Sequence, residues 1–212
     1  MPEIAVLYAD EALLVLDKPA GLLSVPGKGA EKQDCLSSRV QLCYPDARVV
    51  HRLDQATSGL LVMALGASAQ RALNDAFASR RVHKRYVAVV DGLLESSAED
   101  WGMIDLPILL DWPNRPRRIV DPRGKASCTR WHMLQHNLAA KTTRLELDPV
   151  TGRSHQLRVH LQALQHPILG DALYGTPASL GKAARLLLHA TRLELMHPVS
   201  QETMVFSSEP PF

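Results

Sequence analysis

The sequence predicts an α+β fold, with a mixed, largely antiparallel central sheet and flanking helices and loops. Three observations predict it. Short apolar, β-prone segments outnumber helical ones. Most of them are joined by short polar turns. The clearest three- and four-residue apolar repeat is confined to 67–80.

Taken in order, 4–8 and 12–16 are apolar runs joined at Asp10-Glu11, which reads as an edge hairpin. Lys18-Pro19-Ala20-Gly21 ends the second run, because proline cannot donate to a ladder and glycine permits the turn. Residues 24–32 form a polar loop, and 34–44 a helix with a weak stripe of Leu36, Val40 and Leu42. A buried strand covers 60–65. Over 67–80, Ala69, Ala72, Leu73, Ala76 and Phe77 line one helix face. A basic run over 80–85 leads into the β-prone 86–90, ended by Asp91-Gly92. Residues 93–102 are a polar connection. The stretch 111–124 holds three prolines and four arginines and reads as a long irregular loop of the kind that serves binding. Antiparallel strands at 127–135 and 142–147 turn around Asn137, a second helix spans 154–164, and strands at 186–196 and 204–207 close the chain. No internal repeat interrupts this order, so a single domain over 1–212 is expected.

At 212 residues and 46% hydrophobic content the chain can bury a sizeable core. Lys and Arg number 24 against 22 Asp and Glu, so any polyanion-binding surface must be local. Cys35, Cys43 and Cys128 fit no Cys-x-x-Cys spacing, and an odd count opposes a disulfide framework; reduced thiols in the cytoplasm are expected. Met1-Pro2-Glu3 opens no signal-peptide pattern, and no apolar run approaches the roughly 20 residues of a membrane helix. The histidines lack metal-ligand spacing, since His155 and His160 are five apart with no Glu between them. Ser58 lacks the Gly-x-Ser-x-Gly elbow of a serine nucleophile.

The chemistry concentrates in His51-Arg52-Leu53-Asp54-Gln55-Ala56-Thr57-Ser58-Gly59-Leu60-Leu61. In an extended chain Arg52 and Asp54 point to the same side. A carboxylate beside a guanidinium, next to a Thr-Ser-Gly turn, suits nucleophilic or base chemistry on an anionic substrate. It also suits a structural Arg–Asp pair that steadies the turn.

This stretch resembles the catalytic motif of the RluA family of pseudouridine synthases. Three further segments resemble that family's motifs in the same order: Lys84-Arg85-Tyr86-Val87-Ala88, Thr151-Gly152-Arg153-Ser154-His155-Gln156-Leu157-Arg158-Val159-His160, and Leu187-Leu188-His189-Ala190 with Leu193. The resemblance implies the pseudouridine synthase catalytic fold. It implies no S4-type RNA-binding domain, since the sequence opens almost directly on the catalytic part. It implies isomerisation of uridine in structured RNA with no metal, no cofactor and no second substrate. Asp54 matches the essential aspartate, which attacks the ribose C1′ or works through a glycal. Tyr86 matches the tyrosine that stacks on the target uracil, although a tyrosine opening a strand also suits plain packing. The third motif supplies an arginine that pairs with the aspartate, and both Arg153 and Arg158 are open. On a helix from Ser154, Leu157, Leu161 and Leu164 form the buried face with Arg158 at its border, which favours Arg158. Arg153 precedes the helix and is placed to meet phosphate. Leu193 matches an apolar floor of the uracil pocket, or packs as ordinary core.

Asp111-Trp112-Pro113-Asn114-Arg115-Pro116 and His166-Pro167-Ile168-Leu169-Gly170-Asp171 resemble the compact dual-specificity members of the family. Their substrates would be 23S ribosomal RNA and the tRNA anticodon stem-loop (uridines 746 and 32 in RNA numbering), with another rRNA or tRNA uridine as the alternative. RNA is read in loops, and chemistry at C1′ needs the nucleotide turned out of its stack. The resemblance gives Arg52 the resulting gap. Arg115, Arg117, Arg118 and the run 80–85 are phosphate contacts or solvated surface. Trp112 stacks on a base or packs in the core. Two competing readings remain. A base hydrolase would release uracil, but the central motif offers one carboxylate where glycosidases use two. A non-catalytic RNA-binding protein would leave every uridine unmodified. With no apolar seam in the sequence, a monomer is expected.

Overall fold

The computed structural model describes residues 4–95, 97 and 99–212. Met1-Pro2-Glu3 and two residues of the 93–102 connection therefore lie outside the described residues. The chain divides into two compact units, Met1–Lys84 with His189–Pro211, and Arg85–Leu188 with Phe212.

The first unit opens on the expected hairpin, β1 (Ala5–Ala9) and β2 (Leu13–Lys18). Asp10 closes its turn by accepting from the backbone N–H of Ala12 and Leu13 at 2.8 and 2.9 Å. Only β1 is an edge. β2 is buried along nearly its whole length, because its other side pairs antiparallel with β4 (Ser58–Leu65). Between them lie α1 (Leu36–Gln41), shorter than expected, and the unforeseen β3 (Ala47–Val49), which pairs with the end of β4. The Cys35 sulfur accepts from Ser38 N–H at 3.4 Å and sets where α1 begins. The clear helix appears as α2 (Gly66–Ala78), burying Ala69, Leu73 and Ala76 as the repeat requires.

The second unit carries β5 (His83–Asp91), whose first two residues belong to the first unit. Next come β6 (Gly102–Asp105), β7 (Ile108–Leu110) and β8 (Arg118–Val120). The long loop expected over 111–124 is thus partly a hairpin, since β7 pairs antiparallel with β8. Strands of three residues are too short to show a period-two pattern. The β9 (Cys128–Asn137) and β10 (Thr142–Pro149) hairpin forms as expected, with Asn137 Oδ1 accepting from Ala140 N–H at 3.0 Å. β10 also pairs with β5, and β9 with β6. Gly102 faces Trp131 there: a Cβ on Gly102 would lie 2.2 Å from the indole, so only glycine fits. The helices are α3 (Gln156–Ala163) and α4 (Pro177–Gly181).

The chain returns to the first unit in β11 (Leu188–Met196) and β12 (Thr203–Ser207), which pair antiparallel. β11 pairs parallel with β4, at His189 with Ser58 and Ala190 with Gly59. That pair makes an otherwise antiparallel set of named ladders mixed, as the sequence predicts. Cys35, Cys43 and Cys128 are not joined in disulfides. Among the described residues no helix is long and apolar enough to cross a membrane.

Candidate active site

Asp54 sits in a turn that precedes β4, closed by Thr57 N–H donating to the Asp54 carbonyl at 3.1 Å. Leu53 is buried, Asp54 half-buried and Arg52 exposed. The supports reach the turn from 18–24. Lys18 is fully buried, and its ammonium donates to the carbonyls of Pro19, Leu22 and Gln55 at 2.9, 2.7 and 3.1 Å. Three donors meet three acceptors, which is what makes a buried cation tolerable. The buried Ser24 hydroxyl donates to the Leu53 carbonyl at 2.7 Å and accepts from Leu53 N–H at 3.1 Å. Gly21 N–H donates to the Gln55 carbonyl at 2.8 Å. The main chain on both sides of Asp54 is therefore pinned.

His51 opens the motif as a framework residue. Its ring stacks on Phe77 at 4.5 Å, and its Nε2 accepts from Val62 N–H at 2.9 Å. Because a backbone N–H only donates, the ring proton lies on Nδ1. Burial, and then the charge of Lys84, push the His51 pKa down to about 3, so the ring is neutral.

At the far end of the motif, Gly59 has φ +107 and lies so near the Ala190 backbone that a Cβ would fall 2.3 Å from its carbonyl oxygen. Glycine is obligatory where β4 meets β11. Next to it Ser58 Oγ lies 2.8 Å from His189 Nδ1, His189 Nε2 lies 3.0 Å from Ser208 Oγ, and Ser208 Oγ donates to Asp17 at 2.5 Å. The Ser208 hydroxyl proton is directed to the carboxylate, so His189 Nε2–H donates to Ser208. In the neutral ring, Nδ1 then accepts from Ser58. Leu193 is buried on β11.

In the second unit Tyr86 lies half-buried on β5 opposite Leu147. Arg158 departs from the sequence expectation. It is not at the border of α3 but buried at 4% exposure, because residues 156–161 are all buried. Asp171 makes this burial possible. Arg158 Nε and Nη2 donate to its two carboxylate oxygens, each at 2.7 Å. Asp171 also accepts from the backbone N–H of Leu173 and Tyr174 at 2.9 and 3.1 Å, which holds the turn after Gly170. The ring of Tyr174 lies 5.0 Å from the Arg158 guanidinium carbon.

The rest of the third motif is scaffold. Gln156 Oε1 accepts from the Thr151 hydroxyl at 2.7 Å and from Arg153 N–H at 3.0 Å, while its Nε2 donates to the Cys128 carbonyl and Thr129 Oγ1 at 2.9 and 3.0 Å. Thr129 in turn meets His160 Nδ1 at 2.9 Å, and His160 Nε2 meets the Leu106 carbonyl at 3.0 Å. The carbonyl fixes the His160 proton on Nε2, and burial lowers its pKa. Sequence reasoning missed Asp171, Gln156 and His160 as partners. The i, i+4 spacing of Gln156 and His160 on one helix face was the legible signal; nothing local marked Asp171, 13 residues away from its arginine.

Arg153 is exposed ahead of α3, with Nε 3.3 Å from the Ala126 carbonyl. Arg115 is exposed, its guanidinium carbon 4.2 Å from the ring of Trp112. Trp112 is 65% exposed, which removes the core-packing reading. The basic run 80–85 is not one stripe. Arg81 pairs with Asp75, Lys84 lies over Phe77, and Arg85 pairs with Asp148 at 2.7 Å and lies over Trp101.

The sequence model of the RNA pseudouridylate synthase family matches residues 12–163. Over 212 residues the chain is 45% identical to the dual-specificity RNA pseudouridine synthase RluA of Haemophilus ducreyi, covering 100% of this chain and 95% of that protein. It is 46% identical to the RluA of Escherichia coli K12, with the same coverage. Of solved structures, human RNA pseudouridylate synthase domain containing 1 aligns with a TM-score of 0.81 at 29% identity, over 99% of this chain and 84% of that one. Human RNA pseudouridylate synthase domain containing 4 aligns at 0.76 and 24% identity, over 97% and 88%, a likeness of fold alone.

Proposed function

Because the chain belongs to the RNA pseudouridylate synthase family, we propose that it isomerises uridine to pseudouridine in RNA stem-loops, with Asp54 as the nucleophile. The observation that carries this is the Asp54 turn: a half-buried aspartate on a main chain held by Lys18, Ser24 and Gly21. Preorganisation of that kind is what a nucleophile needs. A carboxylate oxygen attacks C1′ and the C1′–N1 bond breaks, leaving its electron pair on the uracil. The base turns until C5 faces C1′. C5 then displaces the carboxylate, loses its proton, and N1 gains one, so the product is an isomer of the substrate. On the glycal route Asp54 instead removes the C2′ proton. Both routes require water to be kept from C1′.

Tyr86 is assigned to stacking on the uracil and Leu193 to its apolar floor. Arg158 is assigned to charge balance at the reacting carboxylate; its bidentate pair with Asp171 fixes the guanidinium in one orientation. Arg52 takes the space left by the everted nucleotide, and Arg153 and Arg115 meet phosphate. The substrates we assign are 23S ribosomal RNA and the tRNA anticodon stem-loop, at uridines 746 and 32. Full-length similarity to dual-specificity RNA pseudouridine synthases supports action on more than one RNA. The enzyme is assigned to the cytoplasm as a monomer, with residues 1–212 acting as one catalytic domain and no cofactor.

The test is to incubate the protein with an anticodon stem-loop and a 23S fragment and to map pseudouridine. Asp54→Ala is expected to abolish modification while RNA binding persists. Release of free uracil would establish a hydrolase instead. Unchanged modification by the variant would remove Asp54 from the mechanism.

A further inference from the structure

We infer that the arm over 111–117 is a stacking platform for an unpaired base of the RNA substrate, with Trp112 as its aromatic surface and Arg115, whose guanidinium carbon lies 4.2 Å over that ring, to meet the phosphate. The inference rests on the pseudouridine synthase reading and deepens it. Of the three tryptophans, Trp131 is buried and Trp101 is half-buried against Arg85 and Arg130, but Trp112 is 65% exposed. An indole left in water forgoes one of the largest burial gains a side chain offers.

The arm holds that indole in place. Asp111 N–H donates to the Arg117 carbonyl at 3.1 Å, Asn114 N–H to the Asp111 carbonyl at 3.2 Å, and Arg117 N–H to the Asn114 carbonyl at 3.0 Å. At its root, Arg118 N–H donates to the hydroxyl of buried Tyr174 at 2.8 Å. The aromatic face is thus presented before any partner arrives, which lowers the ordering cost of binding.

Charge identifies the occupant. Arg115 and Arg117 are exposed on the arm and Arg118 is half-buried at its root. The single carboxylate of the arm, on Asp111, is engaged by Asn114 Nδ2 at 3.0 Å. In a chain of net charge +2 this is a local concentration of positive charge around one aromatic surface. A base has a π-face for the indole and a phosphate for the guanidinium, and stem-loops offer unpaired bases. Stacking tolerates any base, so the platform adds affinity without choosing sequence.

The experiment measures KM and kcat of Trp112→Ala and Trp112→Phe on the anticodon stem-loop. It also follows the fluorine resonances of 5-fluorotryptophan-labelled Asp54→Asn protein as RNA is added. Trp112→Ala is expected to raise KM about tenfold to a hundredfold, with the loss falling on KM and not on kcat. Trp112→Phe should recover most of it, and the resonance missing from Trp112→Phe should shift with RNA. Unchanged KM with an unmoved resonance overturns the inference while leaving the enzyme assignment intact. A resonance that moves with protein concentration and not with RNA overturns it too, marking a self-association contact. No pseudouridine from the unsubstituted enzyme is a different failure, that of the underlying reading.

Discussion

The two motif-bearing regions are braced in opposite ways. Around Asp54 the braces come mostly from outside the motif and grip main chain: Lys18 and Ser24 bond to carbonyls and an amide of Leu53 and Gln55, beside an exposed Arg52 and a half-buried Asp54. Around α3 the motif's own side chains brace one another, through Thr151, Gln156 and His160, and Arg158 is locked as a side chain by Asp171. The first arrangement fixes where a backbone runs and lets a reactive group project from it. The second fixes a guanidinium directly. A carboxylate that must meet a sugar needs access, whereas an arginine that only balances charge can be buried, provided its own charge is matched.

The largest expected effect breaks the second arrangement. Asp171→Asn removes the counter-charge of an arginine whose pair is almost wholly buried, at 5% and 0% side-chain exposure. Removing one partner of a buried pair typically costs about 3–5 kcal/mol. Urea unfolding should therefore show a loss of that order, and Arg158→Met in the same chain should restore part of it by removing the buried guanidinium that has lost its bidentate partner. A loss below about 1 kcal/mol would mean that Asp171 does not hold α3, and the contrast between the regions would lapse.

The sequence made the first region far more legible than the second. The β1–β2 hairpin and β4 declare themselves as apolar runs, and α2 as a three- and four-residue apolar repeat. β3, β7 and β8 have three residues each and carry neither signal. Helix α3 begins at Gln156 and not at Ser154, because His155 takes the left-handed conformation at φ 58, which residue type does not announce. The burial of Arg158 was misjudged for a related reason. A helical wheel places Arg158 beside the leucine face, but β8, β9 and β10 all pack on α3, and Asp171 supplies the charge that lets the arginine go inside. Trp112 was equally unreadable, since an indole belongs in cores and at interfaces alike.

A smaller effect sharpens the first arrangement. Lys18→Met keeps the apolar stem and removes the donors that three carbonyls share. Gln55 retains Gly21 N–H as a partner, but its carbonyl and its neighbours lose their common anchor. The expected stability cost is about 1–3 kcal/mol. The activity cost should be out of proportion to it, because the turn that carries Asp54 is what shifts. The signature is a fall in kcat at unchanged KM for RNA, measured well below the unfolding temperature. A variant that loses stability but keeps kcat would show that the buried cation supports the fold and not the turn.

The smallest effect compares the regions through one histidine in each. In the folded chain His51 titrates near 3, well below its ordinary value of 6.5, and His160 is also shifted down. A depressed histidine is neutral when folded and takes up a proton on unfolding once the pH is below about 6.5. Its stabilising contribution is therefore complete above 6.5 and shrinks as the pH falls toward the folded value. Between about pH 5.5 and 6.5, above the range where ordinary carboxylates titrate, the unfolding free energy should drop with falling pH by up to about 1.4 kcal/mol per unit for each such histidine. His51→Gln removes the titrating ring but keeps an oxygen to accept from Val62 N–H, so it should flatten the slope without unfolding the turn. His160→Gln should flatten it less, because the Leu106 carbonyl stabilises the protonated ring there and opposes the burial. Chemical denaturation at several pH values reads both slopes. Equal slopes in the wild type and in His51→Gln would mean that the ring is not held neutral by its surroundings, and that the His51 anchor is weaker than its stacking and hydrogen bond indicate.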